Sequence, residues 1–313
     1  MRPSLRSREG AMKAGSTDNV WVILLAAGEG NRVRRLTHDR RGQLAPKQFS
    51  LIDGPKTLLE STLERANKIA PPERIVPIVA AQHRRWWESE LTDIPPENVI
   101  VQPENRGTAA GVLLPLLWIT QHDREATVVI LPSDHHVESE ETLNDSLSGA
   151  VSAVVRSDTP VVLLGIQPEG PEEEYGWIVP CPGSESCPCR VASFREKPDA
   201  STAACLLNQG GLLNSFIVVA DSRCLLTLYR TELPLLCRPF ERLNADRSGK
   251  PWEQEDLFDL YRSIPCTDFS RDILEGAADR LWVYPVPPCG WSDLGTPRRL
   301  TMHLTRHSGP PGR

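Results

Sequence analysis

Short apolar runs alternate with longer helical stretches over the first half of the chain. VWVILLAA (20–27), RIVPIVA (74–80), NVIVQ (98–102), ATVVILP (126–132) and PVVLLGI (160–166) are nearly continuous in valine, isoleucine and leucine. Runs of this kind are expected of strands buried on both faces. Between them lie TLLESTLERANKIA (57–70), GTAAGVLLPLLWITQ (107–121) and SEETLNDSLSGAVSAVV (139–155), the first and third with apolar residues at three-and-four spacing. They predict helices that connect parallel strands and cover the sheet on both sides, an α/β fold. After residue 166 the segments shorten: EYGWIVP (174–180), RVASFREKP (190–198), LLNSFIVVA (212–220), a helical stretch from about 221 to 262, and LWVYPVP (281–287). These predict antiparallel strands and helices that extend the same sheet.

No Pro/Gly linker separates the halves, so residues 19–301 are expected to form a single domain, with 19–166 and 167–301 as its two halves. Residues 1–18 and 302–313 are polar with scattered Gly, Pro and Arg and are expected to be disordered tails. A net charge of -6 gives no general attraction to nucleic acid or anionic membrane, so any basic site must be local. No apolar run reaches the ~18 residues that span a bilayer, and the N-terminus has no secretion-signal core, which predicts a cytoplasmic protein. Of eight cysteines only Cys181, Cys187 and Cys189 cluster. They lack a local fourth ligand, and their Pro/Gly/Ser surroundings read as a hairpin loop. The oligomeric state is left open, a homo-oligomer included.

LLAAGEGNRVRR (24–35) ends the first run in two glycines and three arginines. A dinucleotide fingerprint would need glycine where Val33 stands, and a P-loop would need a Gly-Lys-Ser/Thr ending. What remains is a strand, a glycine turn and cations at its exit, which is anion-binding chemistry. A solvated basic turn is the alternative. In a parallel sheet, ligands sit beyond the carboxyl ends of the strands. LPSDHH (131–136) follows the fourth run and so faces the same crevice. Taken singly, Lys47 of APKQF (45–49) and Lys197 of FREKPD (194–199) read as solvated surface charges; together with Arg32 they are separated cations of the kind a polyphosphate needs. Asp134 and Asp293 of GWSDLG (290–295) are carboxylates suited to Mg²⁺ beside phosphates. Their alternatives are a helix N-cap for Asp134 and a turn aspartate for Asp293. His135 and His136 have no third ligand in view and read as local hydrogen-bonding groups. Arg34 and Arg35 take no role.

LLAAGEGNR, PKQF, LPSDH, YGWI, FREKP, NSF and GWSDLG together resemble, in order and spacing, the sugar-1-phosphate nucleotidylyltransferases over about residues 20–297, and in particular the mannose-1-phosphate guanylyltransferases. The resemblance implies a Rossmann-like mixed, mostly parallel α/β sheet, and Mg²⁺-dependent transfer from a nucleoside triphosphate, GTP, to a sugar 1-phosphate, mannose 1-phosphate. It implies that Arg32 holds the triphosphate and leaving pyrophosphate and that Lys47 is a second phosphate ligand. The backbone around Leu25, Ala27 and Gly28 would lie against the base, with Gly30 and Arg106 in the nucleotide site. Tyr175, Gly176, Glu196, Lys197 and Asn214 would form the sugar-phosphate pocket, and Asp134 and Asp293 would hold magnesium. Two departures stand out: Gly107 replaces the asparagine of the family's GRNTAP, and Phe216 replaces a glycine after Asn214-Ser215, a bulk that narrows the implied pocket. No isomerase or β-helix extension follows, so a second activity is not expected. A nucleotidylyltransferase for another sugar phosphate and nucleotide, or an inactive nucleotide-sugar sensor, are the other readings.

Overall fold

The computed structural model describes residues 19–52, 54–156, 159–183, 187–245 and 252–307. The expected tail 1–18 and the last six residues lie outside the described part. The strands are β1 (Val20–Ala26), β2 (Ile75–Ala80), β3 (Ile100–Gln102), β4 (Thr127–Pro132), β5 (Val161–Ile166), β6 (Gly176–Pro180), β7 (Cys189–Glu196), β8 (Leu212–Asp221) and β9 (Trp282–Val286). The helices are α1 (Leu58–Asn67), α2 (Arg84–Glu90), α3 (Gly107–His122), α4 (Glu140–Val155), α5 (Ala200–Asn208), α6 (Ser222–Glu232), α7 (Pro234–Ala245), α8 (Gln254–Ser263) and α9 (Pro297–His307). The strands make one sheet in the order β3-β2-β1-β4-β8-β5-β9-β7-β6.

Successive strand side chains point to opposite faces, and both faces are packed. Trp21, Ile23, Val128 and Ile130 pack with α3, α6, α7 and α8 on one side. Val20, Val22, Val129 and Leu131 pack with α1, α2 and α4 on the other. β1 and β4 are therefore packed on both faces, which is why the runs are almost wholly apolar and why chemistry is left to their carboxyl ends.

The sheet is mixed α/β, but not mostly parallel. β1–β2, β1–β4, β2–β3 and β5–β9 pair in parallel. β4–β8, β5–β8, β6–β7, β6–β8 and β7–β9 are antiparallel. β8 inserts antiparallel between β4 and β5, and its additional pairing with β6 joins β8, β5, β9, β7 and β6 into a closed circuit. One strand serves both the open sheet and the circuit because it is bulged. Between the pairs Leu163–Val218 and Gly165–Asn214 the register shifts, so that Leu164 faces Ser215, Phe216 and Ile217. The Ser215 hydroxyl donates to the Leu164 carbonyl (2.7 Å), and Phe216 takes φ +61°. Bulges are invisible to a two-residue hydrophobic period, and this one turns Asn214 toward the pocket described below.

The helical stretch expected from about 221 to 262 holds α6, α7 and α8, with α6 capped by Asp221, which accepts from the N–H groups of Arg223 and Cys224 (2.9 and 3.1 Å). One further expectation is corrected. The tail expected from 302 is instead helical through His307. Polar composition hid its anchor: Leu300 and Leu304 pack with Val33, Leu58 and Leu294.

α1 starts with a reciprocal cap, Thr57 accepting from the Glu60 N–H (3.1 Å) and the Glu60 carboxylate from the Thr57 N–H (2.8 Å). The Thr57 hydroxyl also donates to Glu90 (2.7 Å). Burial, with Glu60 adding repulsion, raises the Glu90 carboxyl to about 7 despite that hydrogen bond. An acid raised on folding is favoured in its protonated form, so this stability is present below the ordinary carboxylate range and is lost as pH climbs through about 7. Glu90→Gln should melt as the wild type does at pH 5 and roughly 2–4 °C above it at pH 8. Equal melting temperatures at pH 8 would show that Glu90 ionises without cost.

Candidate active site

The turn after β1 is built against two other loops. The Gln48 amide donates to the carbonyls of Ala26 (3.1 Å) and Gly28 (2.8 Å), fixing the path of the glycine turn. Gly30 takes φ +61°, and a Cβ there would stand 3.1 Å from the Lys47 nitrogen, so only glycine lets the turn lie on APKQF. Ser133, after β4, donates through its hydroxyl to the Leu25 carbonyl (2.7 Å). Ala27 is half-buried and Gly28 exposed, leaving this backbone open to the crevice.

LPSDHH and GWSDLG are joined by a two-way backbone pair: His136 N–H to the Ser292 carbonyl (2.9 Å) and Ser292 N–H to the His136 carbonyl (3.0 Å). This brings Asp134 and Asp293 to one place from opposite ends of the sequence. Lys47, 4% exposed, ties them: its Nζ lies 2.8 Å from Asp134 Oδ2 and donates to the Asp293 main-chain carbonyl. Asp293 Oδ1 accepts from the Tyr175 hydroxyl (2.7 Å), the Gly295 N–H (3.0 Å) and Arg299 (3.2 Å). Burial opposes charge on both aspartates, yet Lys47 holds each carboxyl below the usual range, so both stay ionised. Burial and Asp293 push the Tyr175 phenol well up, which keeps it a donor. Asp134 is no helix cap, since α4 is capped by Ser139. Asp293 does form the local turn, through Gly295. His135 Nε2 stands 3.6 Å from Asp134 Oδ1, with its ring edge-on to Trp291.

On the other side, Gly176, Glu196 and Asn214 converge. A Cβ at Gly176 would fall 2.5 Å from Glu196 Oε2 and 3.3 Å from Asn214 Cβ, so glycine there permits the approach. Glu196 is pushed up by burial, against the pull of Lys197, whose Nζ is 3.4 Å away. Lys197 takes φ +44° and donates its N–H to the Tyr175 carbonyl (3.2 Å), linking the two pocket segments. Asn214 donates to Ser270 (3.3 Å) in a π-helical turn, Ser270–Leu274, and accepts from the Phe216 N–H (3.1 Å).

Gly107 has a local explanation, whereas nothing in the structure explains the choice of Phe216. Gly107 takes φ +85°, and any Cβ there would collide with the Thr267 carbonyl, against which α3 is clamped. Phe216 occupies a positive φ that favours glycine, and its ring lies 5.8 Å from that of Phe269. Arg106 pairs with Glu104 (2.7 Å) at the start of α3. Arg32 is exposed and pairs with Glu174 (2.6 Å). Arg34 lies 3.6 Å from Glu29 and 6.0 Å from the Trp86 ring centre.

Sequence reasoning missed Gln48, Ser133 and Arg299. Gln48 was within reach, one residue past Lys47 in a quoted motif. Arg299 carried no signal: it enters from α9, stacks 4.1 Å over the Tyr175 ring and bridges Asp293 to Glu172 (2.7 Å).

Among the described residues no three His, Cys, Asp or Glu side chains form a protein-only metal cage. Magnesium in a phosphate site needs only one or two protein carboxylates, the remaining ligands being phosphate oxygens and water. Asp134 and Asp293 fit that requirement: Tyr175, Gly295 and Arg299 all bind Oδ1 of Asp293, and Oδ2 takes none of the three.

A family model for nucleotidyl transferases matches residues 21–305, which takes in both aspartates, Lys47 and the glycine turn. The chain belongs to the nucleotidyl transferase family. The chain is 29% identical to the xanthan biosynthesis protein XanB of Xanthomonas campestris over 89% of its own length and 58% of the relative's. It is 31% identical to a mannose-1-phosphate guanylyltransferase of Salmonella montevideo, over 88% of its length and again 58% of the relative's. The chain thus spans a little over half the length of these curated relatives. Among solved structures it resembles one described as a mannose-1-phosphate geranyltransferase from Thermus thermophilus, with a TM-score of 0.78 and 28% identity over 94% of this chain and 81% of that one. Among the described residues no helix is long and apolar enough to cross a membrane.

Proposed function

We propose that the chain transfers a nucleotidyl group from a nucleoside triphosphate to a sugar 1-phosphate, releasing pyrophosphate, with GTP and mannose 1-phosphate as the substrates. The observation that carries this reading is the union of Asp134, Asp293 and Lys47 at one point between the glycine turn and the Gly176–Glu196–Asn214 pocket. The order of strands supports a direction for the substrates. β2 and β3 flank β1 on one side, where the base would lie, and the β6–β8 pocket is on the other, where the sugar would lie.

A phosphate oxygen of the sugar phosphate attacks the α-phosphorus in line; the new O–P bond forms as the bond to the β-phosphate oxygen breaks and pyrophosphate departs. The reaction needs no covalent enzyme intermediate, so the protein's work is positioning and charge neutralisation. Arg32 and Lys47 supply positive charge along the triphosphate, and Lys197 and Glu196 orient the sugar phosphate. Asp134 and Asp293 would hold magnesium, which supplies charge neutralisation at the phosphate oxygens. The names of the relatives support mannose and guanine over other pairs. Pyrophosphate release across a panel of nucleoside triphosphates and sugar 1-phosphates tests the choice. The largest kcat/KM is expected for GTP with mannose 1-phosphate, and a preference for another pair would reassign the substrates while keeping the reaction.

A further inference from the structure

Each crevice cation is already matched by an acid of the same chain: Lys47 by Asp134, Arg106 by Glu104, Lys197 by Glu196, Arg299 by Glu172 and Arg32 by Glu174. The Arg32–Glu174 pair is the most exposed of the five on both sides, and the side-chain partner of Glu174 among the described residues is Arg32, 2.6 Å away. We propose that Glu174 is a displaceable counter-ion for Arg32, occupying its guanidinium until a polyphosphate takes its place and recapturing it as pyrophosphate leaves. This rests on the reading of Arg32 as a phosphate ligand.

Two observations place the pair at the crevice. A Cβ at Gly295 would stand 3.3 Å from Arg32 Nη2 and in collision with Asp293 Oδ2, so the guanidinium is beside the loop that carries the Asp293 carboxylate. The acidic segment Glu172–Glu174 is anchored at both ends. Trp177 donates to the Glu172 carbonyl (2.7 Å), and Tyr175 holds Asp293 through its hydroxyl (2.7 Å) and receives the Lys197 N–H at its carbonyl (3.2 Å). The Arg32 and Glu174 side chains are nonetheless 57% and 48% exposed, so water screens their attraction and the exchange costs little. A carboxylate offers the same fork of acceptors as a phosphate but less charge, which makes it a fitting temporary occupant.

Any ligand whose phosphates reach Arg32 must release Glu174, and one whose phosphates stop short need not. Glu174→Gln should therefore tighten binding of GTP and of inorganic pyrophosphate by about 2–5-fold, and leave GMP unchanged. Two controls separate this from simple removal of charge and from failure of the Arg32 assignment. Glu173→Gln deletes the same charge one residue away and should change nothing. Arg32→Ala should weaken GTP and pyrophosphate and leave GMP alone. Calorimetric titration of the full chain and its three variants reads all of these. Equal tightening by Glu173→Gln, or no effect of Glu174→Gln while Arg32→Ala weakens GTP, would overturn the counter-ion role. GTP binding indifferent to Arg32→Ala would remove Arg32 from the phosphate site, and the counter-ion with it, while leaving the aspartate–lysine centre in place.

Discussion

Lys47→Met is expected to damage both turnover and fold. Methionine preserves the length and apolar stem of the side chain but removes the ammonium that spans Asp134 Oδ2 and the Asp293 carbonyl. Asp134 and Asp293, both held ionised beside Lys47, then lose the cation between their loops. Breaking such a pair from one side leaves uncompensated charge, and because Asp134 keeps 36% side-chain exposure the cost should be roughly 2–3 kcal/mol. The same vacancy removes positive charge from the triphosphate, and kcat should fall by about 10²–10³-fold. Denaturant midpoints and steady-state pyrophosphate release measure the two effects. A variant that keeps wild-type turnover would make Lys47 a strut for the two loops and no more.

Arg32→Ala should separate what Lys47→Met combines. The side chain is more than half exposed and its partner is another surface residue, so truncation should shift stability by no more than about 0.5 kcal/mol. Loss of a cation from the leaving pyrophosphate should still lower turnover by about 10²–10³-fold. Near-normal kcat in the folded variant would rule out that role. The contrast is informative because both residues carry positive charge to one crevice, yet only Lys47 is also a structural member.

Strand runs were legible because β1 and β4 are buried on both faces, and a buried strand cannot disguise its composition. The bulge in β8 was not, since it depends on how Ser215–Ile217 sit against Leu164 rather than on any periodicity. For the same reason the closed circuit of β8, β5, β9, β7 and β6 could not be foreseen from alternating segments. In the site, Asp134, Asp293 and Lys47 were found as members of motifs, and the structure adds the cross-loop pair His136–Ser292 that unites them. Arg299 was illegible for a physical reason: α9 reads as polar, and only the packing of Leu300 and Leu304 delivers that arginine to Tyr175 and Asp293.

Nucleotidyl transfer is tested most directly by incubating the purified chain with GTP, mannose 1-phosphate and magnesium and quantifying both products. The expected result is GDP-mannose and pyrophosphate in equal amounts, with neither formed when mannose 1-phosphate or magnesium is left out. Pyrophosphate released without the sugar phosphate would mark a hydrolase, and no product with any nucleotide and sugar phosphate would contradict the reaction altogether.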